Sequence, residues 1–187
     1  PWWPPLPSVL ERHELEPAAL GRADDPDHQR VLPLRWTPTD GHLLIAASPG
    51  SGATSTLCTL AGATLSARDA AVAPASTTPT WVYVLDGRGD ERLATLAHHP
   101  RCGAVVKVHE RERVMRLLTQ LQRQVRERGA AGARVLFLID GLDTVRRTLD
   151  DLETAAEFDA LEEVLADGEH AGITVVATVE HAAAVPA

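Results

Sequence analysis

From Gly41 onward the chain alternates short apolar runs with helix-like stretches, and few architectures accept that order. The runs are His42–Ala47, Trp81–Leu85, Ala104–Val108, Val135–Ile139 and Ile173–Thr178. Between them lie Thr54–Ala67, Glu91–His99, Glu110–Arg128 and Leu149–Ala166. Unbroken apolar runs of this length suit strands covered on both faces, because a half-solvated strand would alternate polar with apolar residues. The third helical stretch spaces Val114, Leu117, Leu118, Leu121 and Val125 at i, i+3, i+4 intervals, with Arg and Gln opposite. Gly129 and Gly132 are placed to close it. Strands alternating with helices predict a three-layer α/β/α domain on a mostly parallel sheet of five core strands.

The residues before this pattern behave differently. Residues 1–32 are rich in Pro, charge and polar groups, and Pro4, Pro5 and Pro7 favour an extended arm or linker ahead of a domain at 33–187. Trp2 and Trp3 either pack on a neighbouring surface or move with that arm. Leu32–Trp36 has the pattern of a short edge strand. The absence of an initiating Met, and an end at Pro186-Ala187 soon after the fifth apolar run, lead us to expect a piece of something larger, cut short at its C-terminus. No apolar stretch approaches the ~18 residues of a membrane span. A net charge of −8 and a pI near 5.4 argue against docking on a nucleic acid backbone. Cys58 and Cys102 read as reduced, buried thiols. His98, His99 and His170 lack the spacing of metal ligands, and the acidic run from Asp150 to Glu163 reads as a solvated helix face.

Two segments carry chemistry. Ser48-Pro49-Gly50-Ser51-Gly52-Ala53-Thr54-Ser55 joins the first apolar run to the first helical stretch, which is the setting of a phosphate-cradling P-loop. Such a loop works through successive backbone N–H groups at the positive end of a helix. Set against G-x-x-x-x-G-K-[ST], Ala47 replaces the first glycine and Ala53 the lysine, whereas Gly52 and the hydroxyl of Thr54 are kept. On this segment alone, a phosphate seat and a bare strand-to-helix turn are both open. Lys107, the only lysine among 18 basic residues, lies on a different strand. The second segment, Val135-Leu136-Phe137-Leu138-Ile139-Asp140, is a buried strand ending in a carboxylate, the form that holds Mg²⁺ beside a P-loop. The residue that follows is Gly141, where a base would position the attacking water, so no catalytic residue is assigned. Asp143 reads as a cap of the next helix.

These segments resemble the FtsK/SpoIIIE family of P-loop ATPases, and within it the later, degenerate ATPase domains of EccC-like type VII secretion motors. The resemblance also runs through Pro4-Pro5-Leu6-Pro7, Gly41-His42-Leu43-Leu44-Ile45, Val84-Leu85-Asp86-Gly87, Leu93-Ala94-Thr95-Leu96, Gly103-Ala104-Val105-Val106, Glu112-Arg113-Val114-Met115-Arg116-Leu117-Leu118 and Gly172-Ile173-Thr174-Val175-Val176-Ala177-Thr178. It implies a RecA-like P-loop NTPase fold, a multi-domain, membrane-anchored protein working in the cytoplasm, ring neighbours, and a sensor role for Thr178. ATP would sit on Ser48–Ser55 with Asp140 and Thr178, and Mg²⁺ on Thr54 and Asp140 if nucleotide binds. The losses at Ala53 and Gly141 point to a regulatory or substrate-docking module with weak or no hydrolysis, its partner a secreted substrate's C-terminal peptide. The alternatives are an ATP-hydrolysing domain completed by a neighbouring subunit's arginine, and a DNA translocase.

Overall fold

The structure is a computed structural model that describes residues 5–7, 9–16, 19–66, 79–127, 134–151 and 155–180. Trp2, Trp3, Pro4, Gly129, Gly132 and the Pro186-Ala187 end, to which expectations were attached, lie outside these residues. The chain divides into two compact units, residues 1–40 and 41–187.

Within the first unit, β1 (Ala19–Asp25) and β2 (Arg30–Arg35) form an antiparallel hairpin, with Arg22 opposite Pro33 and Asp25 opposite Arg30. Proline is tolerated because each strand of a two-stranded sheet has an open edge. The turn is held by Asp25, whose carboxylate accepts from Arg30 Nε at 2.9 Å and contacts His28 Nδ1 at 3.0 Å. Only Leu32–Trp36 was expected as strand here, and Trp36 falls outside it. β1 escaped notice because its charges and glycine hide any period-2 alternation.

The second unit is built on a five-stranded parallel sheet in the order β3-β7-β6-β4-β5, from β3 (Leu43–Ala46), β4 (Thr80–Asp86), β5 (Cys102–Lys107), β6 (Arg134–Asp140) and β7 (Ile173–Val179). All five expected strands are present. Successive side chains leave a strand on opposite faces, and the core divides accordingly. Leu85, Val106, Phe137, Ile139, Val175 and Ala177 pack with α3 (Arg111–Arg126), α4 (Leu142–Asp151) and α5 (Ala155–Asp167). Val84, Leu136, Leu138 and Val176 stay outside that cluster and take the other face, where α1 (Ala53–Ser66) packs on the strands through its buried Leu57, Leu60, Ala61 and Leu65. The three-layer α/β/α architecture follows. Phe137 is fully buried at mid-sheet, and truncating such a residue to alanine costs about 3–5 kcal/mol.

Three expectations need correction. The first apolar run is not covered on both faces, because β3 is an edge strand and Leu44 is 42% exposed. The stretch Glu91–His99 is one helical turn, α2 (Glu91–Ala94), followed by a 3₁₀ turn at Thr95–His98. The single helix expected over Leu149–Ala166 is two, since α4 already begins at Leu142 and α5 ends at Asp167.

Candidate functional site

The parity of the strands decides which side chains can meet. Counting from the buried Leu136 and Leu138, Asp140 faces the same layer as α1, and so does Thr178, counted from Val176. Strand β7 lies between β3 and β6, so Thr178 sits between the loop-bearing strand and Asp140. Thr54, in the first turn of α1, completes the group. Its Oγ1 donates to Asp140 Oδ2 at 2.7 Å, and Thr178 Oγ1 donates to Asp140 Oδ1 at 2.7 Å. Thr178 Oγ1 in turn accepts from the Gly141 backbone N–H at 2.8 Å. Asp140 and Thr178 have no exposed surface, and Thr54 is buried. The sequence-predicted residues Thr54, Asp140 and Thr178 therefore converge on one buried network.

The loop leading to Thr54 turns on itself. Both the backbone N–H and the Oγ of Ser51 donate to the carbonyl of Ser48, at 3.1 and 2.7 Å. Gly50 and Gly52 adopt φ of +79° and +98°, a region that side chains disfavour, and the space where a Cβ would stand is open at both. Ala53 is buried and uncharged, and the loop has no cation of its own at that position. Ser55 is exposed, and its Oγ accepts from Arg92 Nη1 at 2.7 Å. Pro49 is exposed at the loop tip.

Two arginines that sequence reasoning missed reach this region. Arg92 is gripped by Asp90, which also caps α2 by accepting from the Arg92 backbone N–H at 2.9 Å. The hydrogen bonds from Arg92 hold the Asp90 carboxyl below its ordinary range, and Asp90 raises the guanidinium in return. Arg88 follows the end of β4. There Asp86, buried and level with Asp140 in the sheet, accepts from the backbone N–H groups of Arg88 and Gly89 at 2.9 and 2.6 Å and turns the chain. Gly87 makes that turn possible: its N–H donates to the Asp140 carbonyl at 2.9 Å, and a Cβ would come within 2.8 Å of the same oxygen. The turn delivers Arg88 Nε to 3.7 Å from Asp140 Oδ1 and Arg88 Nη2 to 3.6 Å from Glu180 Oε1. The signal for Arg88 was its place just beyond the carboxyl end of a central parallel strand, where ligand crevices form in open α/β sheets.

The atoms present test what the site would hold. A phosphoryl group fits the loop, which offers open space beside Gly50 and Gly52 and the unsatisfied N–H groups of a helix's first turn. At the acid a divalent metal would meet a competing cation: the Arg88 guanidinium stands beside Asp140, whose oxygens also accept from Thr54 and Thr178. Thr54 and Asp140 are adjacent as the resemblance implies.

The remaining candidates have local structural roles. His98 Nδ1 lies 3.1 Å from the Thr95 carbonyl, and His99 Nδ1 accepts from the Arg101 N–H at 3.1 Å. Cys58 and Cys102 are free thiols whose pKa values are raised by burial. Among the described residues no helix is long and apolar enough to cross a membrane.

No family model matches the chain, and no curated protein matches it in sequence. Solved structures match it in fold. EssC (ATPases 2 and 3) from Geobacillus thermodenitrificans superposes with a TM-score of 0.75 at 19% identity, over 98% of this chain and 38% of that one. Thermomonospora curvata EccC (ATPases 2 and 3), in complex with a signal sequence peptide, gives 0.70 at 22% identity, over 90% and 33%. The pCW3 conjugation coupling protein TcpA, with ATPγS, gives 0.58 at 17% identity, over 94% and 51%. The chain thus spans about a third of the length of the first two structures. It shares its three-layer α/β/α fold with the structures of EssC and EccC that hold ATPases 2 and 3.

Proposed function

We propose that this chain is a regulatory or substrate-docking ATPase-fold domain of a type VII-like secretion motor, with little or no ATP hydrolysis of its own. The observation that carries this reading is the state of Asp140: fully buried, bonded to Thr54 and Thr178, and faced by Arg88. Thr54 and Asp140 are the residues that would hold Mg²⁺, which would supply charge neutralisation at the phosphates. In this chain the Arg88 guanidinium already stands beside the carboxylate that would hold the ion, and Ala53 offers no ammonium to the phosphates. One charge-assisted hydrogen bond is worth about 1.5–3 kcal/mol, so its loss lowers nucleotide affinity about tenfold to a hundredfold. Gly141 leaves the position directly after Asp140 without a carboxylate to activate water. The partners in this reading are other ATPase domains of the same chain, ring neighbours, and the C-terminal peptide of a secreted substrate. The peptide in the T. curvata complex supports the last of these.

The test is ATP turnover by the purified protein with Mg²⁺, beside Asp140→Ala. We expect no rate above that of the variant. Turnover abolished by Asp140→Ala would overturn the proposal.

A second reading, nucleotide binding completed by an arginine from a neighbouring subunit, is favoured by one observation: the loop keeps open space at Gly50 and Gly52, ahead of the first turn of α1. The ATPγS in TcpA lends it support. Calorimetry with ATP and Mg²⁺ separates the two, and Ala53→Lys should raise affinity at least about tenfold if the second holds.

A further inference from the structure

Three features around Arg88 belong together. The first is position: the Asp86 turn fixes the backbone of Arg88, and its guanidinium lies between Asp140 and Glu180. The second is space. A Cβ built on Gly141 would stand 3.1 Å from both Cγ and Nε of Arg88, and Gly141 has φ +78°. A side chain at 141 would crowd the arginine stem at 88, which would have to give by a few tenths of an ångström. The third is bonding. Nε and Nη2 of Arg88 are buried and make no hydrogen bond among the described residues. The guanidinium is thus held by its turn and by charge, at ion-pair distance, rather than by a closed fork onto a carboxylate.

A buried carboxylate needs a counter-charge, and removing the counter-charge leaves it costly and ready to accept another cation. We infer that Arg88 is a specificity-determining residue that takes the place of a divalent metal ion beside Asp140 and excludes such ions from the site. This deepens the non-hydrolysing reading and rests on it only for its biological meaning. The metal test below can fail while ATP turnover is absent, and can succeed in a protein that turns over ATP.

The experiment titrates the full chain with Mn²⁺ alone, followed by electron paramagnetic resonance. Wild type is compared with Asp140→Asn, with the single variants Arg88→Gln and Arg88→Met, and with the double variant Arg88→Gln with Asp140→Asn. Wild type should show no Mn²⁺ binding that depends on Asp140. Both Arg88 variants should bind Mn²⁺ about tenfold or more tightly than wild type, and the double variant should lose that gain. Thermal melts with and without Mn²⁺ guard against a folding artefact: a single variant weakened by the orphaned carboxylate should regain its melting temperature on adding Mn²⁺. Wild-type binding that Asp140→Asn abolishes overturns the inference. So do single variants that bind no better than wild type and melt at the same temperature with and without Mn²⁺.

Discussion

Thr178 makes two bonds at once, donating to Asp140 and accepting from the Gly141 N–H, and both partners are buried. Valine has nearly the same shape and neither bond, so Thr178→Val strands a backbone donor and a carboxylate oxygen. The expected cost is about 1–3 kcal/mol, read as a lower urea midpoint at unchanged slope. Thr178→Ser should keep most of the stability, and an unshifted midpoint for Thr178→Val would show the bonds to be unimportant. At this scale the sequence was half legible. Asp140 and Thr178 announce themselves as polar ends of apolar strands, and Thr54 by its place in the loop. Arg88 did not, because an arginine after an Asp-Gly turn looks like any solvated turn residue. What singles it out is the register that sets Asp86 level with Asp140, and register between strands distant in sequence is not written in either strand alone.

The junction of β5 with α3 shows how an element end is secured. Glu110 accepts from the Lys107 N–H at 2.8 Å and from Arg113 Nη1 at 2.7 Å, while Arg113 Nη2 donates to the Val105 carbonyl at 2.8 Å. The backbone bond from Lys107, then the pairing with Arg113, hold the Glu110 carboxyl below its ordinary value against the opposing effect of burial. A carboxylate depressed in the folded state binds fewer protons there than when unfolded. Its contribution is present above the ordinary glutamate pKa and is lost as pH falls through the lowered value. Glu110→Gln should therefore flatten the acid side of the stability profile below about pH 4.5, measured by urea melts at several pH values. Identical profiles for the two proteins would refute the clamp. Elements with strong periodicity were readable from sequence: α3 and all five core strands sit within a few residues of expectation. The failures have physical causes. β3 is apolar but lies at a sheet edge, a fact of topology rather than of composition. α4 starts earlier than expected, directly after Gly141, so that Asp143 lies inside its first turn rather than capping it. β1 has polar residues on both faces, as a two-stranded hairpin permits.

For the molecule as a whole, charge is the most direct predictor of behaviour. With a net charge of −8, it should not be retained on DNA even at about 50 mM salt, and a gel shift or filter-binding assay checks this. Salt-sensitive retention would revive the translocase reading. The strand order carries a different kind of consequence, one of timing. β3 borders only β7 in its sheet, with Leu43 opposite Val176, although one strand opens the five-stranded series and the other closes it. Such distant pairing is slow, because the loop-closure entropy comes due before any contact rewards it. On the ribosome the glycine turn after β3 emerges long before the strand that seats it, and the Thr54–Asp140–Thr178 network cannot close until β7 has been made. Premature termination ahead of Ile173 would leave β3 with both edges bare, an invitation to pair with another chain. The fifth strand of this sheet is thus the keystone of the first, and the integrity of the loop reports on whether β7 has been made.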